Sequence, residues 1–122
     1  MTLSFPLSPD HTRPFAAEWI AAWNAHDLDA ILGHYASGVV LTSPVAARLT
    51  GEATVTGIEA LGSYFARGLS AFPDLHFGLL GVFTGFSSVV LVYTNQNGNK
   101  TAEFMEFDSS GKVVRVVANY AA

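Results

Sequence analysis

Residues 98–120 read GNKTAEFMEFDSSGKVVRVVANY. Two runs rich in β-branched and aromatic residues flank Asp108-Ser109-Ser110-Gly111. Those four residue types favour a tight turn, so the stretch predicts a β-hairpin of strands Thr101–Asp108 and Lys112–Tyr120. Side chains alternate across a strand. On the second strand, Val114, Val116, Ala118 and Tyr120 are apolar apart from one phenol and belong in the core. The other set, Val113, Arg115, Val117 and Asn119, suits a face half covered by another subunit. On the first strand, Thr101, Glu103, Met105 and Phe107 oppose Ala102, Phe104 and Glu106. Each set carries one glutamate, so alternation alone leaves the inward face open. If the face with Glu103 lines a cavity, Glu103 is the best candidate for chemistry.

Upstream of this hairpin, Asn97-Gly98 predicts a tight turn to a strand over Ser87–Gln96. Leu75–Thr84 predicts another, with Gly78, Gly81 and Gly85 marking bends or bulges. Before Pro73 the apolar spacing is helical. Phe15, Trp19 and Trp23 recur at i, i+4, i+8 in a helix over Pro14–Asn24. Asp27 caps a second helix, Leu28–Tyr35, and Ile58, Leu61, Tyr64, Phe65 and Leu69 mark a third over Gly57–Ala71. Val39–Ser43 reads as a strand stopped by Pro44, and Ala53–Thr56 as a short edge strand. Residues 1–13, with Pro6 and Pro9, read as an extended arm. Helices followed by a run of antiparallel strands predict an α+β fold with the helices on one face of a curved sheet.

The chain has 122 residues, half of them hydrophobic and 13% charged, which suits one domain, 1–122, with apolar material to spare. Such surplus lines a ligand cavity or a subunit interface. A net charge of −4 without a basic cluster argues against nucleic acid as a partner. The absence of cysteine excludes disulfides and thiolate chemistry. No apolar run reaches the roughly 18 residues of a membrane span and the start is not a signal peptide, so a soluble cytoplasmic protein is expected, with no membrane partner.

Five segments, in this order and spacing, carry a family resemblance: Trp23-Asn24-Ala25-His26-Asp27-Leu28-Asp29-Ala30-Ile31, Thr42-Ser43-Pro44, Gly57-Ile58-Glu59-Ala60-Leu61, Phe72-Pro73-Asp74-Leu75, and Phe107-Asp108-Ser109-Ser110-Gly111-Lys112-Val113. The span from about Phe15 to Tyr120 resembles the nuclear transport factor 2-like superfamily, particularly SnoaL-like polyketide cyclases and ketosteroid isomerases. The resemblance implies a cone of curved, mostly antiparallel sheet wrapped by three helices around a closed apolar pocket. It also implies a homodimer formed through the sheet and chemistry without a cofactor. Its register puts Glu103, Met105, Val114, Val116, Ala118 and Tyr120 on the pocket side and Glu106 outside. The isomerase's general base falls at Ser43, its two tyrosines at Trp19 and Phe65, and its protonated aspartate at Glu103. A serine cannot take an α-proton unaided and an indole N–H only donates, so the standard isomerase pattern is broken.

The candidate site therefore centres on Glu103 as acid or base. Its structural alternative is a carboxyl paired with the Trp19 N–H or the Tyr35 O–H. Trp19, Trp23, Tyr35, Tyr64, Phe65, Phe72 and Tyr120 are expected as aromatic walls, with Met105, Val116 and Ala118 from the sheet. Ser43 either orients a ligand oxygen or bonds backbone. Of the four histidines only His76, at a strand start, is a candidate acid/base group at the pocket mouth, and none has metal-ligand spacing. Two functions follow. One is binding of a small apolar or polycyclic molecule with isomerase- or cyclase-type proton transfer on a ketone. The other is a ligand-binding or dimerisation domain that has lost the base.

Overall fold

The computed structural model describes residues 2–122. Along the chain run α1 (Pro9–Asn24), α2 (Leu28–Leu32), β1 (Tyr35–Thr42), α3 (Pro44–Thr50), β2 (Thr54–Thr56), α4 (Ile58–Ala71), β3 (Gly78–Thr84), β4 (Ser88–Thr94), β5 (Lys100–Phe107) and β6 (Val113–Tyr120). The strands form one curved sheet in the order β2-β1-β6-β5-β4-β3. All neighbours are antiparallel except β1 and β6. The fold is α+β, as the helix-then-strand order predicts. The core lies between the helices and the inner face of the sheet, around Trp19, Ile31, Leu61, Leu91, Met105 and Val116. Burying each such side chain contributes about 1.5–3 kcal/mol.

Several elements differ from the sequence expectations. Residues 9–13 are helical, not an extended arm. Pro9 sits in the first turn, where its missing N–H has no intrahelical role. Pro14 removes one i→i−4 bond, and the carbonyl it leaves, that of Asp10, is on an exposed residue. Thr12, 1% exposed, hydrogen-bonds Thr84 at 2.7 Å and ties this added stretch to β3. The second helix stops at Leu32, and Tyr35 opens β1 with its ring still in the core. Pro44 ends β1 but also starts a fourth helix, α3, because the Ser43 Oγ accepts the Val45 N–H at 3.1 Å. Gly51, at φ 84, closes that helix in the left-handed region. β3 begins at Gly78 rather than Leu75, since residues 75–77 are held by α1 and its following turn, as described below.

The β5–β6 register settles which glutamate is inside. Thr101, Glu103, Met105 and Phe107 are buried and Ala102, Phe104 and Glu106 are not. On β6 the inward set is Val113, Val116 and Ala118. Val114 does not join it. Glu106 pairs with Arg115 and Phe107 with Val113, so Val114 is the extra residue of a β-bulge. The bulge flips the alternation between 113 and 116. Tyr120 is 43% exposed at the strand end.

Candidate functional site

The inner face of the sheet and α1, α3 and α4 enclose a cavity of about 590 Å³, within the range of small-molecule sites. Its walls include Trp19, Trp23, Phe65, Phe77 and Tyr93. It is not closed: lining residues Phe72, Asn97, Asn99 and Lys100 are exposed and form a mouth.

The aromatic wall is built from α1 outward. The four-residue spacing of Trp19 and Trp23 stacks both indoles on one helix face, their centroids 6.0 Å apart. Phe77 packs on Trp19 at 5.9 Å, Trp23 at 5.6 Å and Tyr93 at 4.5 Å. Phe65 meets Trp23 edge-on at 4.8 Å. Phe77 is held there by the end of α1. The Asn24 Nδ2–H donates to the Phe77 carbonyl at 3.0 Å and Asn24 Oδ1 accepts the Phe77 N–H at 2.7 Å. His26 Nε2 lies 2.8 Å from the Leu75 carbonyl. The Asn24-Ala25-His26-Asp27 segment thus clamps the wall, while Asp27 accepts the Ala30 N–H and caps α2.

Glu103 lies on the floor. It is 7% exposed and lines the cavity. Its partner is neither Trp19 nor Tyr35 but Tyr93, whose hydroxyl donates to Oε1 at 2.7 Å. The pairing follows from strand register. Glu103 faces Leu91 directly, which makes Tyr93 its diagonal neighbour on the same face, within reach of a long side chain. Burial pushes the Glu103 carboxyl up from its ordinary 4.5 to about 7, and the Tyr93 hydrogen bond opposes that rise. The Tyr93 phenol is raised in turn, first by burial and then by the adjacent carboxylate. The Trp19 Nε1–H instead donates to the Tyr35 hydroxyl at 2.9 Å.

A second polar group sits on the wall formed by α3, α4 and β6. Ser43, 2% exposed, caps α3 and lies 3.5 Å from the Tyr120 hydroxyl. Tyr64 joins them. Its phenol is pushed up to about 12, chiefly by burial, with the Ser43 hydroxyl opposing. Tyr120 is raised for the same leading reason. The Arg48 charge acts on both phenols in the opposite sense. Two buried polar atoms on lining residues, Trp23 Nε1 and Gln96 Oε1, have no hydrogen-bond partner.

Of the residues expected at the site, Glu103, Trp19, Trp23, Ser43, Tyr64, Phe65, Phe72, Ala118 and Tyr120 line the cavity. Tyr35, Met105 and Val116 do not; they are buried in the packed core beneath it. His76 is exposed and off the cavity, because residues 75–77 direct Leu75 and Phe77 inward on either side of it. Tyr93, Phe77, Arg48 and Lys100 also line the cavity and were not among the expected residues. Tyr93 could have been found by counting back from the turn at Asn97: with Thr94 opposite Lys100, residues 91 and 93 share a face with 101 and 103. Among the described residues no group of three or more His, Asp or Glu side chains converges to hold a metal ion.

Residues 16–118 match the SnoaL-like domain family. A SnoaL-like protein of unknown function from Burkholderia thailandensis is 39% identical, with 96% of this chain and 99% of that one covered at a TM-score of 0.92. An NTF2-like protein of unknown function from Cytophaga hutchinsonii shares the fold at 14% identity, TM-score 0.70, covering 89% and 88% of the two chains. A cystatin-like fold protein of unknown function from Methylobium petroleophilum does so at 17% identity, TM-score 0.77, covering 96% and 80%. No curated protein matches the chain. The family match over most of the sequence, the near-complete overlap with the Burkholderia structure and the helix-wrapped curved sheet agree: the chain belongs to the SnoaL-like domain family.

Proposed function

We propose that the cavity binds a small, largely apolar ketone and that Glu103 moves a proton on it. The observation that carries this reading is the Glu103 carboxyl: buried, lining the cavity, bonded to Tyr93 through one oxygen, and raised to about 7. A group with that pKa is part acid and part base near neutral pH, the range in which proton transfer is efficient. As base, the carboxylate takes the α-proton of an enolisable ketone and leaves an enolate. Returned to a different carbon of the conjugated system, the same proton completes an isomerisation without redox change or cofactor. The Tyr93 O–H bond stabilises the carboxylate before transfer. Ser43, Tyr64 and Tyr120 offer hydroxyl donors to the enolate oxygen. Tyr35 is set aside from that role, since it lies off the cavity and is engaged by Trp19.

A second reading has its own support. Ser43, at the place of the isomerase base, is engaged in capping α3, which favours a binding domain that keeps the pocket without the reaction. Isomerisation of a β,γ-unsaturated ketone, followed by absorbance of the conjugated product, separates the two. Proton transfer requires turnover by the wild type and a loss of at least about 100-fold in Glu103→Gln. Equal rates count against Glu103 as the catalytic group, and no turnover by the wild type leaves the binder. For assembly we propose a homodimer through the outer face of the sheet. Support comes from Leu80 and Phe83, 57% and 63% exposed, beside the half-buried Val90, Val92, Phe104 and Val117. A patch of that kind is a usual mark of an interface.

A further inference from the structure

The charged residues around the cavity are distributed against the composition of the chain. The protein carries ten acidic residues and six basic ones. Of these sixteen, three line the cavity: Arg48, Lys100 and Glu103. The single carboxylate is on the floor and the two cations are on exposed residues at the rim. Neither cation is ion-paired; the one salt bridge among the described residues joins Arg115 and Glu106 on the far face of the sheet. An acidic protein has ample carboxylate with which to neutralise a lysine and an arginine, and here it leaves both facing an aromatic cavity.

Arg48 is the better placed of the two. It lies on α3, five residues after the Ser43 cap, and its charge reaches the phenols of Tyr64 and Tyr120. The rim on that side therefore offers a guanidinium able to donate to an anion, next to the wall that carries the hydroxyls of Ser43, Tyr64 and Tyr120. Arginine presents a planar fork suited to a carboxylate or phosphate. Lys100, from the start of β5, adds a second positive charge. The floor has the opposite character, with indole, phenyl and phenol faces and one carboxyl.

We infer that the ligand is an organic anion: an aromatic or polycyclic body that enters the cavity and a carboxylate or phosphate group held at the rim by Arg48 with Lys100. The inference rests on the pocket reading above and narrows it to a substrate class. A ligand so held lies with its charged end outward and its apolar end against Trp19, Trp23 and Phe77. This orientation keeps its anion at the rim, away from Glu103 on the floor.

Matched probes test it. 1-Naphthylacetate and 1-naphthylacetamide share ring and size and differ in charge. Trp19 and Trp23 are the only tryptophans and both line the cavity, so their indole N–H resonances in ¹H–¹⁵N spectra report binding inside it rather than on the outer sheet. The expected result is that the acid shifts both indoles and binds about fivefold tighter than the amide, as suits a partly solvated ion pair. The preference shrinks in 0.5 M salt, disappears in Arg48→Gln/Lys100→Gln, and is unchanged in Arg67→Gln, a cation off the cavity. 1-Naphthyl phosphate then ranks the two anions: whichever of it and the acetate binds tighter names the natural group, and either order supports an anion site. Equal affinity for acid and amide, or a preference that survives the double substitution, overturns the anion proposal while leaving the pocket reading intact. Absence of any indole shift with either probe overturns both.

Discussion

Strand β5 carries two glutamates three residues apart, and the pleat of the sheet sends them to different environments. Glu103 faces the helices, is buried on the floor of the cavity and takes its hydrogen bond from Tyr93. Glu106 faces outward and lies 3.4 Å from Arg115 across the ladder, with both side chains well exposed. Arg115 also lies 5.1 Å from the centroid of the Phe104 ring. The same chemical group is a titrating acid at neutral pH on one face and a solvated ion-pair member on the other. What separates them is desolvation, which disfavours the charged form only where water is excluded, and strand parity, which decides the face.

This contrast can be broken at several points. The largest effect is on turnover: Glu103→Gln lowers the isomerisation kcat/KM by about 10²–10⁴, while Glu106→Gln stays within about twofold. Matching losses in both would remove the distinction between the faces. Next is stability against pH. The folded-state pKa of Glu103 is raised from 4.5 to about 7, so the folded protein holds a proton that the unfolded chain has released. Stability is then full below about 4.5, falls as pH rises to about 7, and is flat above, a total of roughly 3 kcal/mol. Thermal melts therefore show Glu103→Gln gaining on wild type between pH 4.5 and 8. Glu106→Gln changes stability by less than about 1 kcal/mol at any pH. On the outer face, Phe83→Glu is expected to weaken the proposed dimer at least about tenfold, shifting the light-scattering mass from twice 13.0 kDa toward 13.0 kDa. Among the substitutions expected to show an effect, Tyr93→Phe has the smallest: it costs about 1 kcal/mol and moves the Glu103 pKa further up, since the bond it removes favours the ionised form.

How far the sequence reaches is clear from β5 and β6 themselves. Their existence, the turn at Asp108 and the choice of Glu103 over Glu106 follow from residue types, strand parity and family register. The position of Val114 does not, because a bulge inserts a residue without changing composition. Trp19, Trp23 and Phe65 were legible as an aromatic set because helical spacing is regular. Tyr93 was less legible, since its bond to Glu103 depends on the pairing of two strands. Arg48 was hidden for a further reason: after Pro44 the sequence carries no clear periodic signal, and the helix that turns Arg48 toward the cavity is a short one set by the Ser43 cap and Gly51. His76 shows the reverse error, because a position beside the cavity wall says nothing of which way an exposed ring points.

The proposed proton transfer depends on the protonation of one carboxyl. A ¹³C NMR titration of side-chain carboxyls, with Glu103→Gln used to assign the Glu103 resonance, measures it directly. The predicted result is one glutamate titrating near pH 7 that vanishes in Glu103→Gln. A Glu103 resonance titrating near 4.5 would contradict a carboxyl poised for proton transfer at neutral pH.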